Sequence, residues 1–549
     1  MTGGGPDAPL LIPAADTLLL QLAHPDAERC RAELAAFAEL ERSPDHVHTF
    51  RLTDLGLWNA RSAGLDAERV IDVLDRYSAQ PVPHATLTLV AETMARFGRV
   101  LIEGGGGGET LTVRTDEPEL LDELLAIAEV ATHLAERTGP DTAAVTAERR
   151  GRLKQALAAA RLPADDRAAV SPGLALDVAA SDELVLRPYQ QQAVDSWLPG
   201  GNGVIVLPCG AGKTVTAIAA AVAVGARTLV LVTSDASMRQ WHRELLRFTD
   251  LSPDDIGCYA ARTKQVRPVT LATYHVLSAR RGGEFRHLGL IEEGDWGLII
   301  YDEVHLLPSA VFQLTAAIQG RRRLGLTATL IREDGRERDV FTLVGPKRFD
   351  VPWRDLELQG WLAPAVCTEV RVVPTDDERL AHARATGQEK AKVAATVAAK
   401  ADAVERLLAR HPDETALVIG TYVDGLTTLA ERLGAALVTG GTPAAERARL
   451  FDELRLGERR ILVVSKVANF SLDLPEVSVA IQVSGTFGSR QEEAQRLGRI
   501  VRPKADGRQA HFYSVVARDT VEQEYAQRRQ RFLAEQGYGY EILDGAELG

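Results

Sequence analysis

Long apolar runs, clustered cysteines and a surplus of positive charge are all missing from this chain, and each absence removes a class of function. No continuous apolar stretch reaches the ~20 residues that a membrane-spanning helix requires, so no membrane partner is expected. The N-terminus, MTGGGPDAPL, lacks the basic start of a secretory signal, which points to the cytoplasm, and in a bacterium to association with the nucleoid. Four cysteines, Cys30, Cys209, Cys258 and Cys367, are scattered through 549 residues without the ligand spacing of a zinc site or an iron–sulfur cluster. The net charge of −13 means that any grip on nucleic acid has to come from a local cleft of Lys and Arg. Arg280-Arg281 and Arg321-Arg322-Arg323 are either part of such a cleft or ordinary solvated loops.

What the chain does have is length, apolar content and three strings in a fixed order. With 549 residues and 45% hydrophobic content it can bury several cores, and three domains are expected. The first string, Pro208-Cys209-Gly210-Ala211-Gly212-Lys213-Thr214, follows the apolar run Val204–Leu207 and precedes a helix-forming stretch, although Leu207 stands where the usual pattern has its first glycine. Strand, glycine turn and helix in that order form a phosphate cradle. Backbone N–H groups and the helix dipole would face the phosphates of ATP, Lys213 would reach the β- and γ-phosphates, and the Thr214 hydroxyl would ligate Mg²⁺.

The second string, Asp302-Glu303-Val304-His305, ends an apolar run that reads as a buried parallel strand. In open α/β sheets ligands bind at the carboxyl ends of strands. Asp302 would hold Mg²⁺ directly or through water, and Glu303 would orient and deprotonate the attacking water. The third string runs from Gln495 to Arg502 and lines Arg496, Arg499 and Arg502 along one side of a helix. Guanidinium groups stay charged and bind phosphate with paired N–H bonds, so Arg499 and Arg502 are read as fingers on the transferred phosphoryl group, with Gln495 beside them.

Around these strings the chain falls into an accessory region over 1–140, a linker over 141–180, a first lobe over 181–355 and a second over 356–549. The accessory region shows helical patterns, such as Val70, Ile71, Leu74 and Tyr77 following Asp66, and two strand-like runs separated by Gly104–Gly108. No catalytic constellation appears there, so it reads as a binding or docking module. From residue 181 onward strands alternate with helices, which predicts doubly wound parallel sheets.

The run Leu324–Asp334, in which Arg332-Glu333-Asp334 follows Thr327-Ala328-Thr329, resembles the XPB family of superfamily 2 DNA helicases. So do Leu186–Gln190, Asp295-Trp296-Gly297, Ser465-Lys466 through Pro475, and Gly488 through Arg502. The resemblance spans 180–549 and implies an α/β fold: two RecA-like doubly wound parallel-sheet motor lobes preceded by a mainly helical α+β N-terminal domain. It implies an ATP- and Mg²⁺-dependent 3′-to-5′ helicase acting on tailed or distorted DNA in repair, with a double-strand translocase or a nucleotide-gated scaffold as the rival readings.

By the same resemblance Arg187 and Gln190 hold the nucleotide base, Asp473 helps close the nucleotide site, and His305, Thr327 and Thr329 couple hydrolysis to movement. Arg332, Glu333 and Asp334 would serve unwinding. Ala468-Asn469-Phe470 departs from the Gly and acidic residues usual before that aspartate. Leu55–Leu65 resembles the family's N-terminal extension, which docks a protein partner, here a nuclease or a repair factor. A thumb-like insertion over Ala381–Lys400 either touches DNA or is an exposed helix.

Overall fold

Short runs of Val, Ile and Leu with no polar face, such as Thr228–Val232 and Val269–Thr273, can be satisfied only by a strand covered on both sides. In the computed structural model they lie inside a seven-stranded sheet in the order Ile256–Tyr259, Val269–Thr273, Thr228–Val232, Leu298–Asp302, Arg322–Thr327, Asn202–Val206, Lys347–Asp350. Every neighbouring pair is parallel. The structure describes residues 8–42, 46–104, 110–208, 210–281, 284–287, 289–290, 294–328, 336–351, 353–362, 365–465, 477–484, 509–527 and 540–548. Two compact units emerge, one of residues up to 207 with 212–350, the other of 208–211 with 351 onward.

The second unit is built on another all-parallel seven-stranded sheet, in the order Ala436–Val438, Ile461–Ser465, Ala416–Gly420, Val479–Gln482, Ala510–Ala517, Ala365–Val372, Tyr540–Asp544. Its core gathers Val418, Val463, Ile481 and Val515 from the strands with Val404, Leu407 and Leu426 from the helices. The region expected as an insertion folds as the helices Asp376–Arg384 and Gly387–Ala395, followed by Ala399–Arg410. Lys400 cannot reach DNA: it is buried, with Nζ donating to the Val483 carbonyl at 2.6 Å and pairing with Glu522 at 2.5 Å.

Ahead of the first parallel sheet lie two small four-stranded sheets. Leu10–Ala14, Thr17–Gln21, Val47–Arg51 and Glu39–Arg42 form one, wholly antiparallel. Thr142–Thr146, Thr110–Thr115, Val100–Glu103 and Asp165–Asp166 form the other, in which only the last pair is parallel. The helix read from Val70, Leu74 and Tyr77 spans Ala67–Tyr77 and starts where Asp66 accepts a hydrogen bond from the Arg69 N–H.

Two expectations for this region change. The stretch taken as a linker contains the strand Thr142–Thr146 and the helix Arg150–Ala159. That helix buries Arg150 and Lys154 alongside Gly151, Leu153, Leu157 and Ala158, so two of its six buried residues are cationic and interrupt the apolar face. The Leu55–Leu65 segment buries one face and leaves Arg61, Ala63 and Gly64 exposed. Its helix Asp54–Ser62 buries Leu57 and Trp58, Asn59 Oδ1 accepts from the Lys347 N–H at 2.9 Å, and the Arg338 guanidinium lies 5.9 Å from the Trp58 ring.

Asp166 joins the small sheets to the motor sheet. Arg150 grips it with two nitrogens at 2.7 and 3.1 Å, Lys154 donates to it at 2.9 Å, and the same Lys154 donates to Gln319 Oε1 at 2.9 Å. Gly151 lets the helix approach so closely that a Cβ there would lie 2.4 Å from the Ala316 carbonyl oxygen. Burial works against the Asp166 charge, but Lys154 and Arg150 more than offset it and hold its carboxyl well below the usual range. The resulting stability is present at neutral pH and is lost as the solution becomes strongly acidic.

Replacing Asp166 by Ala leaves two buried cations without their anion. Breaking a buried pair costs about 3–5 kcal/mol, so Asp166→Ala should lower the unfolding free energy of the first unit by that amount in urea titrations. A change below about 1 kcal/mol would show that the network does not hold the region in place.

Candidate active site

The chemistry gathers at the carboxyl edge of the first parallel sheet, where three strands end side by side. Asn202–Val206 leads into the glycine loop, Leu298–Asp302 delivers the acidic pair, and Arg322–Thr327 lies between them in the sheet. The Leu207 N–H donates to the Thr327 carbonyl at 2.9 Å, which ties the loop's first residue to its neighbouring strand. Gly210 and Gly212 both adopt positive φ, +82° and +83°, conformations that glycine alone takes at little cost. Gly212 caps the helix Lys213–Val224, so the helix opens with its first N–H groups turned toward the loop.

Lys213 and Glu303 meet at 3.6 Å, and His305 Nδ1 lies 3.5 Å from the other Glu303 oxygen. Glu303 itself has φ +52° and ψ +57°, an unusual state for a glutamate and one found at strained functional positions. The buried His305 Nδ1 is 2.6 Å from the Thr327 hydroxyl, linking the acidic string to the end of the adjacent strand. Gln190, also buried, accepts the Arg187 N–H at 2.9 Å, while Arg187 donates to Tyr189 OH at 3.1 Å.

Asp302 is the most perturbed acid of the group. Burial first, and the neighbouring Glu303 second, push its carboxyl up to about 7, against the opposing pull of the Trp241 N–H and Lys213. A half-buried carboxylate at the foot of the cradle is suited to a hard cation, and its oxygens with the Thr214 hydroxyl would form the all-oxygen donor set that Mg²⁺ prefers. The residues present therefore fit that ion.

The structure thus assembles Gln190, Gly212, Lys213, Asp302, Glu303, His305 and Thr327 within one unit. Pro208, Gly210 and Ala211 form the loop between Leu207 and Gly212, with a turn closed by the Ala211 N–H on the Pro208 carbonyl at 3.1 Å. Cys209, Thr329, Arg332, Glu333, Asp334, Asp473, Gln495, Arg499 and Arg502 lie outside the described residues. Of the basic runs, Arg323 is fully buried and Arg321 bonds Asp295 at 3.1 Å and Ser171 at 2.8 Å, so neither belongs to an open cleft. Arg280 donates to Gln313 at 2.7 Å.

Two residues escaped the sequence reading. Trp241 Nε1 donates to Asp302 Oδ2 at 3.0 Å, and Tyr274 OH donates to the Asp302 carbonyl at 2.8 Å. Each lies in a different helix and reads in sequence as an ordinary core aromatic, because nothing local announces a partner 61 or 28 positions away.

Comparison with known proteins supports the same assignment. A model described as ERCC3/RAD25/XPB C-terminal helicase matches residues 356–547, and one described as type III restriction enzyme, res subunit, matches 183–332. The DNA 3′-5′ helicase XPB of Kineococcus radiotolerans is 55% identical over 99% of this chain and 97% of its own length. This chain belongs to the XPB family. Its relative in Mycobacterium tuberculosis, also named DNA 3′-5′ helicase XPB, is 54% identical over 99% of both chains. The general transcription and DNA repair factor IIH helicase/translocase subunit XPB of Antonospora locustae is 32% identical, covering 98% of this chain and 82% of the other.

A model described as helicase conserved C-terminal domain matches residues 10–139. The described residues of that range form antiparallel strands and helices, and among them there is no parallel sheet like that of the second unit. Among the described residues no helix is long and apolar enough to cross a membrane.

Trp241→Phe keeps the ring and removes the N–H that Asp302 accepts. A hydrogen bond to a charged group contributes about 1.5–3 kcal/mol, so the Mg²⁺ concentration for half-maximal ATP hydrolysis should rise roughly 10- to 100-fold. An unchanged Mg²⁺ requirement would show that the indole merely fills space.

Proposed function

We propose that the chain is an ATP-driven DNA helicase that moves 3′ to 5′ and separates strands in repair. The observation that carries this reading is the assembly of Lys213, Asp302 and Glu303 at one sheet edge, with His305 bonded to Thr327, in a chain of the XPB family. Lys213 binds the β- and γ-phosphates of ATP over the glycine loop, and Gln190 with Arg187 holds the base. Asp302 and Thr214 hold Mg²⁺. When bound, that ion draws charge from the phosphate oxygens and steadies them for attack.

Glu303 accepts a proton from the attacking water, and its left-handed backbone aims the carboxylate off the strand direction toward Lys213. Departure of the γ-phosphate removes the charge that Lys213 and Glu303 face, and the His305–Thr327 bond passes that change to the chain leading into Thr329 and Arg332–Asp334. Arg499 and Arg502 supply finger charge from the second unit with Gln495 beside them, and Asp473 closes the site. Arg332, Glu333 and Asp334 help part the strands. The surface of the N-terminal region not spent on the motor sheet receives a protein partner, a nuclease or a repair factor.

The translocase reading is supported by the printed name of the Antonospora relative, which gives both activities. Displacement of a strand from a 3′-tailed duplex, absent on a 5′-tailed one, separates the two. Arg332→Ala with Glu333→Ala and Asp334→Ala should keep most DNA-stimulated ATPase while losing that displacement. A triple variant that unwinds at the wild-type rate removes the motif from strand separation.

Glu303→Gln should bind ATP normally and turn over about 10²- to 10⁴-fold more slowly, as expected when a general base is lost. Lys213→Ala should weaken nucleotide affinity as well, measured by equilibrium binding of a fluorescent ATP analogue. Wild-type turnover in Glu303→Gln would remove the carboxylate from the mechanism.

A further inference from the structure

The second unit carries a cluster that nucleotide chemistry does not use. His411 follows the helix Ala399–Arg410, Glu414 lies just ahead of the strand Ala416–Gly420, and His511 is the second residue of the strand Ala510–Ala517. All three sit at the amino edge of the parallel sheet, opposite the strand ends where an α/β sheet binds its ligands. One donor atom from each lies within 4.8 Å of the other two. The His411 and His511 rings are 4.5 Å apart, and the His511 ring stacks at 8° on that of Tyr513.

We propose that His411, Glu414 and His511 bind a divalent transition-metal ion of the zinc type. Two imidazoles and one carboxylate are the donors such ions favour, whereas Mg²⁺ prefers oxygen alone. Bonds of about 2.0–2.2 Å around a tetrahedral ion place donors roughly 3.5 Å apart, so a 4.8 Å spread closes through side-chain rotation.

His411 is already oriented for the task. Its Nε2 is 2.8 Å from Tyr513 OH and its Nδ1 is 2.8 Å from Glu414 Oε1. A metal-bound histidine characteristically has its second nitrogen fixed by an outer hydrogen bond, and Tyr513 provides that bond. An ion at Nδ1 requires the ring tautomer that carries its hydrogen on Nε2 and donates it to Tyr513 OH, so the hydrogen between Nδ1 and Glu414 gives way to one on Nε2 and the ring stays neutral. Arg460 lies close by, but its Nη1 is directed at the His411 and Pro412 carbonyls, at 3.1 and 2.9 Å.

The ion would join a turn to the strand that opens at Ala510, eight residues past Arg502 in sequence. It would thus staple the return of the segment assigned as fingers, which makes it a structural ion and leaves hydrolysis to the first unit.

The full chain, stripped with a chelator and dialysed, is titrated with Zn²⁺ by calorimetry and with Co²⁺ by visible absorption. One ion per chain is expected, with a ligand-field band from nitrogen and oxygen donors and a thermal midpoint raised by Zn²⁺ and unmoved by Mg²⁺. His511→Ala and Glu414→Gln should each weaken binding at least tenfold while keeping the ATPase rate. If the chain takes up no Zn²⁺ at micromolar concentrations, or if both variants bind as the wild type does, the cluster is only a Glu414–His411–Tyr513 hydrogen-bond chain and the proposal fails.

Discussion

Two carboxylates adjacent in sequence, both half-buried, repel each other in a medium that screens poorly, and the first unit is arranged around the need to make that tolerable. Asp302 is supplied with an indole N–H from one helix, and its backbone carbonyl with a tyrosine hydroxyl from another. Glu303 is swung out of the strand by a left-handed backbone, a conformation that costs roughly 1–3 kcal/mol and survives only where the surroundings dictate it. Its carbonyl accepts the Leu306 N–H at 2.8 Å, which locks the turn, and its carboxylate meets Lys213 and His305. The strain therefore serves to separate the two acids into different tasks, one beside a cation site and one beside a lysine.

The parallel sheet makes this arrangement possible because it ends several strands on one edge, but an edge alone would leave the following chain loose. The N-terminal region supplies a second restraint. Its helix Arg150–Ala159 packs against the helices Ser309–Ala317 and Glu337–Leu343, and Gln155 donates to Asp339 at 2.6 Å. Glu337–Leu343 begins just after the run that contains Arg332, Glu333 and Asp334. The helix that follows that run is thus anchored to the N-terminal region, while the strand Arg322–Thr327 that precedes it is tied to His305 through Thr327.

The central strands of both motor sheets were readable because each is a short run with no polar face, whereas edge strands such as Lys347–Asp350 and Tyr540–Asp544 carry charged residues and were not; the glycine loop was readable because its glycines and a following lysine leave few alternatives. Asp302 and Glu303 followed from their place at a strand end. What escaped depends on partners distant in sequence. Trp241 and Tyr274 look like core residues until the fold brings Asp302 to them. The helix Arg150–Ala159 was legible as a polar, alanine-rich helical stretch but not as a packed element, since two of the residues it buries are charged. The segment Leu55–Leu65 resembles an extension that docks a partner, and in the structure one face of its helix is buried at Leu57 and Trp58 while Arg61, Ala63 and Gly64 are exposed.

The acidity of the chain bears on how DNA can be held. Of the basic residues that looked available in sequence, Arg321, Arg323 and Lys400 are internal struts, bonded to carbonyls or carboxylates of their own unit. Their charges are already counted in the net charge of −13. Screening confines electrostatic interactions to about 8 Å at physiological ionic strength, so the overall repulsion is not felt by a groove a few side chains wide. What the net charge does suppress is indiscriminate adhesion to duplex, because a phosphate must come within that distance of a cation before attraction wins. An acidic motor therefore holds DNA only where its own cations line the track, and a grip of that kind can be made and released with each round of hydrolysis.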